Sequence, residues 1–279
     1  MTRIVVGVDG SAVAATALRW GSRIAVSTGT ELVAVNAFQN PYSEVPPDER
    51  QHLLETRSDI LATEWVEPAV RLGATVRPVV REGDPRHVLP LVAAEEQATL
   101  LVVGRTGATG GPGFLHLGSV VEHMAHHSAI PLAVIPVGWS DPVRRIVVGV
   151  DGSNESLEAV HWAGLLAGAA DSEIVAVHIY EPGLEWTRTA TERDWRTEAE
   201  SRLNEWTAPL RAAGRRVSIV AQHDLHPADG LLGVSTARQA DVLVLGLRGL
   251  GRFTAARAGG VALKVIHRAS LPVVLIPEE

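Results

Sequence analysis

Leu100-Leu101-Val102-Val103-Gly104-Arg105-Thr106-Gly107, followed by Gly118-Ser119, is an apolar run that empties directly into glycines. Chain that leaves a buried strand in this way is built to approach something closely. Glycine tolerates positive φ and carries no Cβ, so successive backbone N–H groups can turn inward as a nest for an anion. A helix opening at Gly118-Ser119 points its first amides the same way. A phosphate is the natural guest of such a nest, and a Gly-rich surface loop without a ligand is the alternative that the spacing alone leaves open.

The second organising feature is a repeat. Ile4-Val5-Val6-Gly7-Val8-Asp9-Gly10-Ser11 returns 142 residues later as Ile146-Val147-Val148-Gly149-Val150-Asp151-Gly152-Ser153, and Gly104 and Gly107 return as Gly246 and Gly249 at the same offset. Trp20 matches Trp162, Glu64-Trp65 matches Glu205-Trp206, Pro68 matches Pro209, and Ile130-Pro131 matches Leu271-Pro272. Solenoid repeats run only ~20 to 50 residues, so a period this long is a duplicated domain. The two copies are read as residues 1–138 and 144–279, joined by a linker around Gly138-Trp139-Ser140-Asp141-Pro142.

Composition limits the partners. The chain has 279 residues, 46% hydrophobic and 20% charged, with a formal charge of −7 and no basic run, so nucleic acid and anionic membranes have no electrostatic footprint here. No apolar stretch approaches the ~20 residues that span a bilayer, and Met1-Thr2-Arg3-Ile4-Val5-Val6-Gly7 enters a strand pattern at once, which predicts a cytoplasmic protein. The cysteine count is zero, which excludes disulfides, thiolate catalysis and cysteine-ligated zinc.

In the first copy, residues 3–8 read as a strand stopped by Asp9-Gly10-Ser11, a turn and helix N-cap signal together. A helix follows with Ala14, Leu18, Gly21 and Ala25 on one face, closed by Gly29. Leu32 to Ala37 is the second strand, Asp48 to Leu72 a long helix that Pro68 should kink or end, and Ala74 to Val80 the third strand. Gly83-Asp84-Pro85 turns into a third helix, Thr99 to Val103 is the fourth strand, a helix starts near Gly118-Ser119, and Pro131 to Pro136 is the fifth strand. Strands that alternate with helices and lack polar alternation indicate a doubly wound α/β fold with a parallel sheet covered on both faces.

Ligands of such folds sit beyond the carboxyl ends of the strands, where strand order reverses. Asp9 ends the first strand and the glycine loop follows the fourth, so a carboxylate and a phosphate nest face one crevice. A nucleotide suits both, with the carboxylate accepting hydrogen bonds from the adenine or ribose end. Asp9 as a plain helix cap is the competing reading, although Ser11 is an equally good cap.

Val6-Gly7-Val8-Asp9-Gly10-Ser11, Val103-Gly104-Arg105-Thr106-Gly107, Gly118-Ser119-Val120 and Ile130-Pro131-Leu132-Ala133-Val134-Ile135-Pro136 resemble the universal stress protein family. Both halves do so over nearly the whole chain. The family's ATP-binding members carry a glycine, two residues, a glycine, nine residues, then glycine followed by serine or threonine. The resemblance implies strand order 3-2-1-4-5 in each domain and ATP in the crevice, with Mg²⁺ held through its phosphates. By the same resemblance Asp9 and Ala37 meet the adenine and ribose end, Gly104 lies beside the ribose, and Gly107, Gly118 and Ser119 hold phosphates. Asp151, Ile179, Gly246, Gly249 and Gly259 take those places in the second half.

The implied role is a stress-response regulatory or sensor module. A slow Mg²⁺-dependent ATPase and an interaction protein with vestigial sites are the alternatives. Single-domain members commonly dimerise through the fifth strand, which suggests an internal pseudo-dimer of the two copies and leaves a further homodimer possible.

Both halves depart from the family pattern. Ten residues, 108–117, separate Gly107 from Gly118, one more than the family spacing, and Pro112 stiffens them. The second half keeps nine, 250–258, but places Gly260 where Ser119 has its hydroxyl and Leu225 where the turn has Gly83, so the second site is expected to be the degenerate one and Leu225 to crowd its crevice. His123 and His127 share a helix face, yet no third metal ligand is apparent in the sequence, and no metal site is expected. Trp65 and Trp206 read as core or helix-packing residues. No P-loop or nucleophile elbow occurs and Lys264 falls on a helix, so no catalytic residue is assigned.

Overall fold

Each copy begins with a β-branched strand that stops at an Asp-Gly-Ser turn, and the turn sets everything above the sheet. A computed structural model describes residues 3–39, 46–107, 117–139, 142–180, 192–249 and 260–278. The chain divides into two units, Met1–Pro142 and Val143–Glu279.

The first unit runs β1 (Arg3–Gly7), α1 (Ala12–Thr28), β2 (Glu31–Phe38), α2 (Pro47–Ile60), α3 (Glu67–Arg71), β3 (Val76–Glu82), α4 (Pro85–Glu95), β4 (Leu100–Gly104), α5 (Ser119–His127) and β5 (Leu132–Ile135). The second runs β6 (Arg145–Gly149), α6 (Asn154–Ala170), β7 (Glu173–Tyr180), α7 (Glu192–Trp206), α8 (Ala208–Ala212), β8 (Val217–His223), α9 (Pro227–Ala237), β9 (Val242–Gly246), α10 (Gly260–Arg268) and β10 (Val273–Ile276). In the first unit β1 pairs in parallel with β2 and β4, β2 with β3, and β4 with β5, which is the order 3-2-1-4-5. The second unit repeats it, with β6 between β7 and β9, β8 beside β7, and β10 beside β9.

The reversal of strand order falls between β1 and β4, so the turns after these two strands open a crevice at their carboxyl ends. Ile4, Val5 and Val6 of β1 and Leu100 to Val103 of β4 are buried, which is why the central strands read as unbroken apolar runs. β3 is different: Arg77, Pro78, Arg81 and Glu82 interrupt it and it is only half-buried, as befits an edge strand, where a proline costs no ladder bond.

α1 is framed as the sequence dictates. The Oγ of Ser11 accepts from the Ala14 amide at 3.1 Å, and Gly29 closes the helix with φ +65°. The predicted helix from Asp48 to Leu72 is instead two helices. A wide turn over Leu61–Trp65 separates them, in which the Val66 amide reaches the Leu61 carbonyl at 3.2 Å. The break therefore precedes Pro68, which sits in the first turn of α3, where its missing N–H leaves nothing unmade. Phe38 to Trp65 spans one residue more than Tyr180 to Trp206, and a turn that bonds five residues back absorbs one extra residue. Among the described residues no helix is long and apolar enough to cross a membrane.

Candidate functional site

At the end of β1 the chain turns sharply through Gly10, at φ +82°, and the corresponding Gly152 has φ +86°. Here Oδ1 of Asp9 accepts the Ser11 amide at 3.0 Å, so Asp9 braces the turn while Ser11 caps the helix. The two readings of Asp9 are not exclusive: one carboxylate oxygen braces the turn, and Oδ2 faces the loop from β4. A Cβ on Gly107 would lie 3.1 Å from that Oδ2, and in the second unit a Cβ on Gly249 would come closer still to Oδ2 of Asp151. The fold thus brings together the carboxylate after the first strand and the second glycine of the loop after the fourth, in both units.

The described glycines of this loop do not serve a left-handed turn. None of Gly104, Gly107, Gly118, Gly246 and Gly249 has positive φ. Close approach explains them instead. A Cβ on Gly104 would meet Cγ1 of Val13 at 2.8 Å and the Val13 carbonyl carbon at 3.2 Å, because the start of α1 abuts the end of β4. Gly246 abuts Glu155 at the start of α6 in the same way. At Gly118 a Cβ would lie 3.2 Å from the Arg105 carbonyl oxygen, which accepts the Gly118 amide at 2.8 Å. Arg105 in turn donates its own amide to the Ile135 carbonyl at 2.8 Å, so the two ends of the loop are clasped over the sheet.

α5 then starts at Ser119, whose side chain is exposed, and no side chain caps the helix at Gly118. The first amides of α5, those of Ser119, Val120 and Val121, therefore project from a helix N-terminus next to Gly107, an arrangement suited to an anion. Ala37 is the penultimate residue of β2, half-buried, one strand across from Asp9. Its counterpart Ile179 leans on α9, where a Cβ on Gly230 would sit 2.9 Å from its Cδ1. Gly259 lies outside the described residues.

The second unit is more closed. Oγ of Ser156 accepts from the amides of Asp151 and Gly152 at 3.3 and 3.1 Å and donates to the Ser153 carbonyl at 2.9 Å. Ala14 holds the matching place in the first unit and brings no hydroxyl. The expectation for Leu225 is corrected by register: Phe38 pairs with Glu82 and Tyr180 with His223, so Asp224 follows its strand as Gly83 does. Leu225 is an inserted residue, 67% exposed, and crowds nothing.

The two tryptophans are packing residues, and what they pack against is the turn itself. Trp65 and Trp206 are half-buried and lie directly beneath the turn glycines, where Cζ2 of each ring would be 2.7 Å from a Cβ on Gly10 or Gly152. Their recurrence beside the recurring Asp-Gly turn was the available signal.

Beneath the turn the units also differ. Asn36 Nδ2 donates to the Val8 carbonyl at 2.7 Å and its Oδ1 accepts from Arg57 at 3.3 Å, whereas in the second unit the Nδ1 of His178 meets the Val150 carbonyl at 2.7 Å with Trp206 edge-on at 5.2 Å. Burial pushes the His178 pKa down, against smaller upward pulls from the Val150 carbonyl and Asp151. A depressed histidine is stabilising when neutral. The unfolded chain binds the extra proton first, so stability should be full above the ordinary value of 6.5 and decline as pH falls below it. His178→Asn, which copies the first unit, should flatten this acid-side loss in melting temperature measured from pH 8 to 5. An unchanged profile would place the titration elsewhere.

Another cleft, of about 440 Å³, lies at the opposite, amino ends of β6 and β7. Its charges answer one another, Arg145 with Glu173 and Arg216 with Asp171.

A model of the universal stress protein family matches residues 1–136 and again 142–277. The chain belongs to the universal stress protein family. It is 31% identical to the universal stress protein Rv2623 of Mycobacterium tuberculosis over 99% of this chain and 96% of that one. It is 28% identical to a universal stress protein of Mycolicibacterium smegmatis, over 98% and 96%. A universal stress protein structure from Archaeoglobus fulgidus shares the fold with a TM-score of 0.76 at 18% identity, covering 99% of this chain and 98% of that chain. As a tandem universal stress protein, the chain keeps two copies of one doubly wound unit, and the candidate site is the crevice above β1 and β4 in the first and above β6 and β9 in the second.

Proposed function

We propose that the first unit binds an adenine nucleotide, ATP, and that occupancy is a regulatory state of this universal stress protein. The observation that carries this reading is the meeting of Asp9 with Gly107 beside the uncapped start of α5. A carboxylate suits the hydroxyls of a ribose, and a helix N-terminus suits phosphates. A carboxylate this close to the phosphate end repels phosphates unless a cation intervenes, which is the physical case for Mg²⁺ accompanying the nucleotide. The second unit, with its turn amides taken by Ser156 and Gly260 in place of Ser119, is the weaker site. Among its described residues the loop supplies no obvious general base, so slow hydrolysis ranks behind binding.

Ligand released on denaturing untagged protein, identified by mass spectrometry, and calorimetry with Mg-ATP test the reading together. One equivalent per chain is expected. Absence of binding at millimolar ATP refutes it, two equal sites refute the ranking of the units, and phosphate release over hours would favour the ATPase. Ser119→Ala should weaken binding about fivefold, the ~1 kcal/mol of one hydrogen bond. We also propose that β5 is a pairing edge, because within its own unit it has a single strand neighbour, β4. Residues 1–140 alone should then self-associate in sedimentation, and a strictly monomeric fragment would count against the pairing.

A further inference from the structure

Four of the chain's eleven histidines, His87, His123, His126 and His127, fall on α4 and α5 of the first unit. His123 and His127 are one turn apart on α5, with rings stacked at 4.2 Å between centroids. The ligand that the sequence did not reveal comes from α4: the ring of His87 stands edge-on to His123 at 5.7 Å. His127 has its Nδ1 engaged with the His123 carbonyl at 2.8 Å, which fixes that nitrogen as the donor and leaves Nε2 with its lone pair outward. His87 and His127 are exposed, so a dication reaches them from solvent.

We infer that His123 and His127 chelate a borderline transition-metal dication, Zn²⁺ or Cu²⁺, with His87 as the third ligand bridging α4 to α5. Imidazole is the side chain that such ions select, and two histidines at i and i+4 on one helix face are a chelating pair. A zinc–nitrogen bond of ~2.0 Å puts each ring centroid about 3 Å from the metal, so tetrahedral ligand rings lie about 5 Å apart. The observed 4.2 and 5.7 Å separations bracket that value. As they stand the rings do not converge: among the described residues no group of three or more histidines or acids is arranged to hold a metal. Splaying the stacked pair and turning His87 about its side-chain torsions are what binding requires, and both are rotations of exposed or half-buried rings. The site lies in the C-terminal half of α5, where the helix dipole favours a cation.

The test is calorimetric titration of the full chain, free of any affinity tag and of nucleotide, with Zn²⁺. One equivalent is expected. His127→Ala should weaken it at least tenfold and His87→Ala several-fold. His126→Ala should change it less than twofold, because that ring lies edge-on to His127 at 6.3 Å, off the shared face. His127 and His87 are exposed, so these variants should keep wild-type melting temperatures. No binding at 1 mM Zn²⁺, or an equal loss in His126→Ala and His127→Ala, would overturn the site. An unchanged affinity in His87→Ala would overturn the bridging ligand. Because nucleotide is absent, failure here leaves the ATP reading untouched.

Discussion

Gly107→Val should lower the affinity for Mg-ATP at least tenfold, about 1.4 kcal/mol, while the melting temperature stays near that of the wild type. The backbone at Gly107 does not have positive φ, so valine meets no conformational penalty there, and the position is exposed. What valine meets is the carboxylate of Asp9, 3.1 Å from where its Cβ stands, with two further methyl groups to place. Asp9 must swing or the loop must lift, and either movement separates the carboxylate from the start of α5. Calorimetry on the variant and a thermal melt decide the matter. Unchanged affinity with an intact fold would mean that nucleotide binds without this loop. The matching change Gly249→Val should leave the first equivalent of ATP untouched, since the second unit is the weaker site.

The largest loss of stability should come from Gly10→Ala, at about 3 kcal/mol. Two costs act at once. With φ at +82°, alanine carries the strain of a left-handed residue, ~1–2 kcal/mol, and its Cβ would stand 2.7 Å from Cζ2 of Trp65, an overlap that adds ~1–3 kcal/mol. Gly29→Ala separates the two. Gly29 has φ +65° but nothing within 4 Å of a Cβ, so it should lose only the strain, about 1 kcal/mol. A double-mutant cycle with Trp65→Leu should recover at least 1 kcal/mol of coupling for Gly10→Ala and none for Gly29→Ala, read from denaturant unfolding. Equal losses at Gly10 and Gly29 would show that the indole beneath the turn yields without cost.

Much was legible in the chain itself, and for a definite reason. Backbone propensity and burial are local: the β-branched runs at Ile4–Val6 and Leu100–Val103, the Ser11 cap and the Gly29 stop each act through a few neighbours. The repeat of Asp9-Gly10-Ser11 as Asp151-Gly152-Ser153 then fixed two domains of one kind. Alternating strands and helices determined a parallel, doubly wound sheet, and with it the end at which a crevice must lie.

What only the tertiary structure decided depends on which surfaces meet. Gly104 and Gly118 read as ligand glycines in sequence, and the structure adds a packing reason for each: a Cβ would meet Val13 at 2.8 Å and the Arg105 carbonyl at 3.2 Å. A one-residue shift of register moved Leu225 from a blocking position to an exposed insertion, and no local pattern marks such a shift. Trp65 is distant in sequence from the Gly10 turn it supports, as is His87 from His123. Contacts of that kind arise from packing between elements, and packing compares shapes that a sequence does not contain.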